Sequence, residues 1–303
     1  MSRVRRTDLE ILDVDYKKSF IAGRLIKNIV MGDIADKSGD LYYTPVQADG
    51  SVTAGRADGA TLASRVLANT TVAYACTKDE DRVLLDYDQS RRRGMENVDK
   101  IGGKSIKKTM RNNYEDQLAD LLLGAAVRVD VTTAPNGGDD IIKAVSIQKE
   151  NLEVVAGKLV FACCTKVYNK IIRRTEIEKR MTFNGVMDQA GNIVRGMKEQ
   201  VLAEILNVDE VIVGSNKNWG TTASYDERAV LLKVPEMDID ENDLQSDPYF
   251  GARLQILAGE NQTDIEIYSW DNDKETGHQY DGLGYSELKV LNAEGAVTFE
   301  AIS

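Results

Sequence analysis

Gly103-Lys104-Ser105 has the ending of a phosphate-binding loop, in which backbone N–H groups wrap the phosphates and the lysine reaches them. That loop also needs an earlier glycine at position 98, where this chain has Val98. The three residues therefore predict a helix start, with Ser105 as its cap. Asp271-Asn272-Asp273-Lys274-Glu275 and Asp238-Ile239-Asp240-Glu241-Asn242 carry the oxygen ligands that calcium takes. A calcium loop needs glycine sixth and glutamate twelfth; the first stretch has Thr276 and Gly282 there, the second Asp243 and Tyr249. Both read as solvated acidic loops. His278, the single histidine, lies in a polar, turn-rich stretch without a spaced cysteine or histidine, so no zinc set forms around it. A Ser-His-Asp relay would have to use the same histidine, and no G-x-S-x-G elbow supplies its nucleophile. Cys163 and Cys164 close an apolar run and read as core packing rather than reactive thiols. No catalytic residue, cofactor site or metal site is predicted.

With chemistry unsupported, composition and organisation carry the reading. A chain of 303 residues, 42% hydrophobic and 29% charged, suits a soluble globular protein of two domains, or one domain with large excursions. Phe20 to Met31 is the most apolar N-terminal run, and Arg24 and Lys27 interrupt it, so no membrane span is predicted. Three cysteines make no disulfide framework, which points to a reducing compartment. The net charge of −11 is concentrated: Pro235 to Ser303 holds sixteen acidic residues against three basic. Such a field argues against a general nucleic-acid binder, which needs a basic face.

The longest well-marked helix is predicted over Lys104 to Gly124. Ile106, Met110, Tyr114, Leu118 and Leu122, with Leu121 beside them, give it an apolar stripe that can face a sheet, and Gly124 can stop it. Before it the chain reads as extended. Residues 1–36, with Arg3, Arg5 and Arg6, form a surface arm. Leu41 to Val46 and Val66 to Cys76 are strands joined by a long tip of small residues, and Asp79 to Gly103 is a charged connector containing Arg91-Arg92-Arg93. Segments 1–36 and 37–72 hold too few apolar residues to bury themselves, so they need another surface.

After the long helix the texture alternates: a strand in Ala125–Thr133, a turn at Pro135-Asn136-Gly137-Gly138, and a helix from Asp139 or Asp140 to about Glu153. A buried strand over Lys158–Cys164 follows, then a helix capped by Thr165 and running to about Arg180, a helix over Lys198–Leu206, and strands at Glu210–Gly214 and Ala229–Val234. This is the pattern of a small α/β domain. Strands near Leu254–Leu257, Thr263–Trp270, Glu287–Leu291 and Ala296–Ile302 would then form a sheet beside the long helix.

Taken together, the order and texture of these parts resemble the major capsid proteins of tailed bacteriophages, the Hong Kong 97-type fold. The arm, the strand pair Leu41 to Cys76, the charged connector and the helix Lys104 to Gly124 are similar to that family's arm, extended loop and spine helix. Lys158-Leu159-Val160-Phe161-Ala162-Cys163-Cys164-Thr165 resembles part of its axial domain, as do Leu202 to Gly214 further on. Val230 to Pro235, with Pro248-Tyr249-Phe250-Gly251, is similar to the return to its peripheral domain. No single motif is diagnostic; the match is collective. The resemblance implies an α+β protein with an N-terminal arm (1–36), an extended β-hairpin loop (37–76), a peripheral domain (77–125 and 236–303, spine helix 104–124) and an axial α/β domain (126–235). It implies a non-enzymatic subunit that self-assembles into hexamers and pentamers of an icosahedral head in the host cytoplasm and ends in the virion. Its partners would be itself, scaffolding, portal and decoration proteins, and packaged DNA by weak non-specific contact, with no cofactor and no membrane. Leu41, Tyr42, Tyr43 and Val46 are the apolar and aromatic candidates for subunit contacts, and Arg56, Arg91, Arg92 and Arg93 the charged ones. No large cleaved prosegment is expected, and no lysine–asparagine cross-link, because the lysine, asparagine and glutamate it needs cannot be mapped. An encapsulin-type nanocompartment shell is the alternative on the same fold; a small-molecule enzyme using residues 126–234 is a third reading, against which the missing motifs stand.

Overall fold

A computed structural model describes residues 5–6, 25, 28–30, 38–43, 70–88, 94–125, 127–152, 157–183, 198–215, 219, 225–234, 250–256, 265–272, 277–291 and 293–302. In chain order these contain β1 (Arg5–Arg6), β2 (Asn28–Val30), β3 (Ser38–Tyr43), β4 (Thr70–Ala75), β5 (Thr77–Asp86), α1 (Met95–Ala125), β6 (Val127–Asp130), α2 (Ile141–Leu152), β7 (Lys158–Cys164), α3 (Thr165–Ile172), α4 (Thr175–Phe183), α5 (Lys198–Leu206), β8 (Glu210–Gly214), β9 (Ala229–Val234), β10 (Gly251–Ile256), β11 (Glu266–Asn272), β12 (Gly277–Val290) and β13 (Ala296–Glu300).

Helix α1, of 31 residues, starts at Met95, well before the expected start at Lys104. At 1.5 Å per residue it is about 46 Å long. Gly102 and Gly103 lie inside this helix, although glycine weakens a helix interior. In the structure Gly102 is a notch: a Cβ there would meet the Tyr280 ring at 2.6 Å. The opposite notch is Gly282, whose Cβ would fall 2.1 Å from Ile106 Cγ2. Helix and sheet therefore approach through reciprocal glycines, and the Tyr280 hydroxyl, reaching past the helix, donates to Asp99 Oδ1 at 2.6 Å. Ser105 is not a cap; its carbonyl accepts the Thr109 hydroxyl one turn on.

The apolar stripe of α1 serves two cores. Residues four apart advance about 40° round a helix, so Ile106, Met110, Tyr114, Leu118 and Leu122 wind about its axis. Ile106, Met110 and Tyr114 join Val98, Ile265, Ile267 and Tyr280 in a small core. Leu118 and Leu122, with Ala119 and Leu123, belong to a much larger one. Nor does Gly124 stop the helix in a left-handed turn: the chain stays helical to Ala125, and side chains take the terminal carbonyls. Thr298 Oγ1 donates to the Leu122 carbonyl at 2.8 Å, Arg228 Nη1 to that of Leu123 at 2.9 Å, and Arg128 Nη2 to that of Gly124 at 2.6 Å. The two arginines also place cations at the negative end of the helix dipole.

Two sheets flank this helix. In the first, β12 is central: β5 pairs with Gly277–Ser286 along one edge, while β11 and β10 pair with Gly277–Leu283 and Tyr285–Val290 along the other, all antiparallel. β1 extends β11, and β2 adds parallel to β10. The expected connector Asp79 to Gly103 is thus mostly strand β5 and the first turns of α1. The expected strand at Glu287–Leu291 is the last part of β12, which begins at Gly277. The second sheet has the order β6-β13-β9-β7-β8. Ala296–Ile302, expected beside the other C-terminal strands, instead supplies β13 between β6 and β9, where Ala296, Val297 and Phe299 complete the large core.

Between the strands of the second sheet the sequence signals hold closely. Asp140 Oδ1 accepts the N–H groups of Ile142 and Lys143 and so caps α2. Thr165 does not cap α3; Cys164 stands at that position without a side-chain bond, and Thr165 Oγ1 donates to the Gly214 carbonyl. The helix expected to reach Arg180 breaks at Arg173 and Arg174 into α3 and α4. A separate antiparallel hairpin pairs β3 with β4, from Ser38↔Ala75 to Tyr43↔Thr70. The tip expected between its strands lies outside the described residues.

Candidate interaction surface

The side chains that could have done chemistry are occupied structurally. Lys104 sits inside α1, away from any loop. His278 stands in β12 with Nδ1 2.5 Å from Asp271 Oδ1, and the Tyr87 ring meets it edge-on at 4.9 Å. Cys163 is fully buried; that burial pushes its thiol well above the ordinary range, with Cys164 and Glu199 adding to the effect. Among the described residues no group of His, Cys, Asp and Glu could hold a metal ion, and no helix is long and apolar enough to cross a membrane. Surfaces remain as candidates for function.

The first surface is the face of the first sheet turned away from α1. Period-two alternation in β5 sends Val83 and Leu85 towards the small core and leaves Lys78, Glu80, Arg82, Leu84 and Asp86 exposed. Leu84 is 41% exposed, an outlier for a leucine in a strand. Across β12, Arg82 grips Asp281 with two parallel bonds, Nε to Oδ1 at 2.9 Å and Nη2 to Oδ2 at 3.0 Å. Gln279 Nε2 donates to the same carboxylate. Beside this pair Glu80, Tyr268, Trp270 and Leu283 line an open depression of about 440 Å³. The face thus mixes the aromatic rings of Tyr268 and Trp270 with charges of both signs. Sequence reading missed it, although the alternation in Thr77–Asp86 was there to be seen behind the density of charge.

The second surface is the outer side of α1's first half. Lys100, Lys104 and Lys108 are exposed and Lys107 half-buried. Their spacing of 4, 3 and 1 puts them on one side of the helix. The third is the hairpin. Leu41, Tyr42 and Tyr43 lie in β3, opposite Val72, Thr71 and Thr70 of β4. The structure brings these three together on one strand; Val46, Arg56, Arg91, Arg92 and Arg93 lie outside the described residues.

No family model matches the sequence, and no curated protein matches it. Solved structures do. A phage-related protein from Bordetella bronchiseptica RB50 superposes with a TM-score of 0.65 at 12% identity, covering 94% of this chain and 92% of that one. The capsid structure of the cyanophage P-SCSP1u gives 0.54 at 13% identity over 91% and 86%. The mature capsid of bacteriophage PhiM1 gives 0.54 at 8% identity over 90% and 84%. At these identities the likeness is one of fold, and that fold is the mixed helix-and-sheet fold of phage capsid proteins.

Proposed function

We propose that this chain, built on the phage capsid fold, is a phage major capsid protein: a non-enzymatic subunit that assembles with copies of itself into the icosahedral shell of a virion. The observation that carries the reading is the near-complete, reciprocal overlap with capsid structures, nine-tenths of this chain against more than four-fifths of theirs. A structural role agrees with what the side chains do, since His278, Cys163 and Lys104 are all absorbed by packing or helix.

Within this reading residues 1–36 are the arm and 37–76, with the hairpin β3–β4, the extended loop. Helix α1 is the spine, now Met95–Ala125, and with residues 236–303 it makes the peripheral domain, except that β13 joins the sheet of the axial domain 126–235. Hexamers and pentamers form around the axial domains and enclose double-stranded DNA, which the acidic chain touches only weakly. Leu41, Tyr42, Tyr43, Val46, Arg56 and Arg91 to Arg93 are proposed subunit contacts, and scaffolding, portal and decoration proteins are proposed partners, with assembly in the host cytoplasm. No observation on this chain favours the nanocompartment alternative over the phage head.

Electron microscopy of the purified protein, with light scattering for mass, tests the proposal. Closed shells or rings of five and six subunits are the expected result. A monomer that stays monomeric at high concentration, even with a candidate scaffolding protein added, overturns it.

A further inference from the structure

We infer that Glu287 positions the hairpin β3–β4 for contact with a second copy of this chain, an inference that rests on the shell reading above. The hairpin is a two-stranded sheet of its own. Such a hairpin has little stability alone and takes its bearing from whatever holds its root. The chain passes from β4 into β5 at Cys76. β5 pairs with β12 as far as Thr77↔Ser286. Continued in that register, Cys76 and Ala75 would lie opposite Glu287 and Leu288. β4 turns instead to β3, with Ala75 opposite Ser38.

Where the ladder to β12 ends, a side chain takes over. The Ala75 N–H donates to Glu287 Oε2 at 2.6 Å, and Lys289 Nζ donates to Oε1 of the same carboxylate at 3.1 Å. Glu287 thus stands in for the carbonyl that a further rung would have supplied, and Lys289, on the same face of the strand, keeps the carboxylate aimed. Cys76 fixes the other side of the root. It is buried, and its thiol donates to the Leu254 carbonyl at 3.8 Å, Leu254 being the β10 residue paired with Glu287. Thr77 Oγ1 donates to the Ser286 carbonyl at 3.3 Å. The start of β5 is therefore held to the sheet by its ladder and by a buried side chain, whereas the last residue of β4 is held by one charge-assisted bond at an exposed position. That bond sets the angle at which the hairpin leaves the sheet. A hairpin held at one angle meets a neighbour without the ordering cost that a loosely hinged one carries.

Amide hydrogen exchange on the full-length protein, read beside assembly, tests this. In Glu287→Ala the Ala75 amide is expected to exchange about tenfold faster than in wild type. The variant is expected to keep its urea midpoint and to need several-fold more protein to form particles. Glu287→Gln keeps an acceptor oxygen of the same reach without the charge, and is expected to fall between wild type and Glu287→Ala in both readouts. Wild-type exchange at Ala75, or assembly of Glu287→Ala at the wild-type concentration, would overturn the inference. Were Glu287→Ala to lose its fold, Glu287→Gln decides alone, and wild-type exchange and assembly in it would overturn the inference equally. Wild-type particles beside any of those results leave the shell reading standing and sink this one. If the wild type itself forms no particle, the shell reading fails, while exchange at Ala75 still decides whether Glu287 holds the hairpin.

Discussion

The two sheets meet the same helix and are built on opposite plans. In the second, β7 is buried from Leu159 to Cys164 and β9 from Ala229 to Leu232, and side chains from α1, α2, α3 and α5 fill the core around them. In the first, the face towards α1 holds the small core, and even that layer holds charge: Arg253, 5% exposed, lies 3.9 Å over the Tyr114 ring, and Asp79 accepts from Asn113. A sheet packed on both faces is complete within one chain. The other face of the first sheet carries the exposed side chains of Lys78, Glu80, Arg82, Leu84 and Asp86.

Four substitutions put this contrast to the test. The largest effect belongs to the second sheet. Phe161 is fully buried with the Phe299 ring 6.3 Å away, and Phe161→Ala should cost about 3–5 kcal/mol in chemical denaturation. A loss below about 1 kcal/mol would mean that this core is not what holds the subunit together. Next comes the notch of the first sheet. Gly282→Ala forces a methyl onto Ile106 and should cost about 1–3 kcal/mol. Combined with Ile106→Ala, the loss should be smaller than the two single losses added; simple additivity would disprove the close approach.

Asp79 probes the charged layer. Burial raises its carboxyl above the ordinary 3.8, against the Arg253 charge and the Asn113 hydrogen bond that lower it. An acid whose folded value is raised favours folding below its unfolded value and loses that contribution as pH rises through the folded one. Asp79→Asn, which keeps the neutral form, should therefore gain stability relative to wild type as pH rises above the ordinary 3.8, read from urea curves. Parallel curves would show that the carboxylate is solvated. The smallest effect should come from the open face. Arg82 is 67% exposed, so Arg82→Ala should cost about 0.2–1 kcal/mol and less at high salt, despite its two-pronged grip on Asp281. A loss several times larger would mean that the pair is covered within the single chain.

The second sheet was far more legible in the sequence than the first. Lys198–Leu206, Glu210–Gly214 and Ala229–Val234 match the expected elements residue for residue, because buried strands read as continuous apolar runs and short amphipathic helices as clear periodicity. β5 was mistaken for a connector because the charges of Lys78 to Arg82 mask a strand whose outward side chains are meant to be polar. The start of α1 was misplaced because Ser105 reads as a cap, whereas the helix runs back through Gly102, whose bare side takes the ring of Tyr280, 178 residues further along. Of the contact residues proposed from sequence, Leu41, Tyr42 and Tyr43 lie in a hairpin strand as expected; the lysine strip and the Arg82–Asp281 face came only from the structure.

Residue types and their local spacing were enough for the α+β texture, the long helix and the collection of negative charge after Pro235. These are properties of residue types and of their spacing over one or two turns or a single strand. Tertiary structure alone decided that β13 leaves its sequence neighbours for the second sheet and that one helix winds its apolar stripe through two cores. It also decided that three carbonyls at the end of that helix are closed by Arg128, Arg228 and Thr298. Apart from the Arg128–Gly124 bond, four positions long, each of those choices couples residues tens to hundreds of positions apart, where local periodicity carries no information and only the geometry of packing can select the partner.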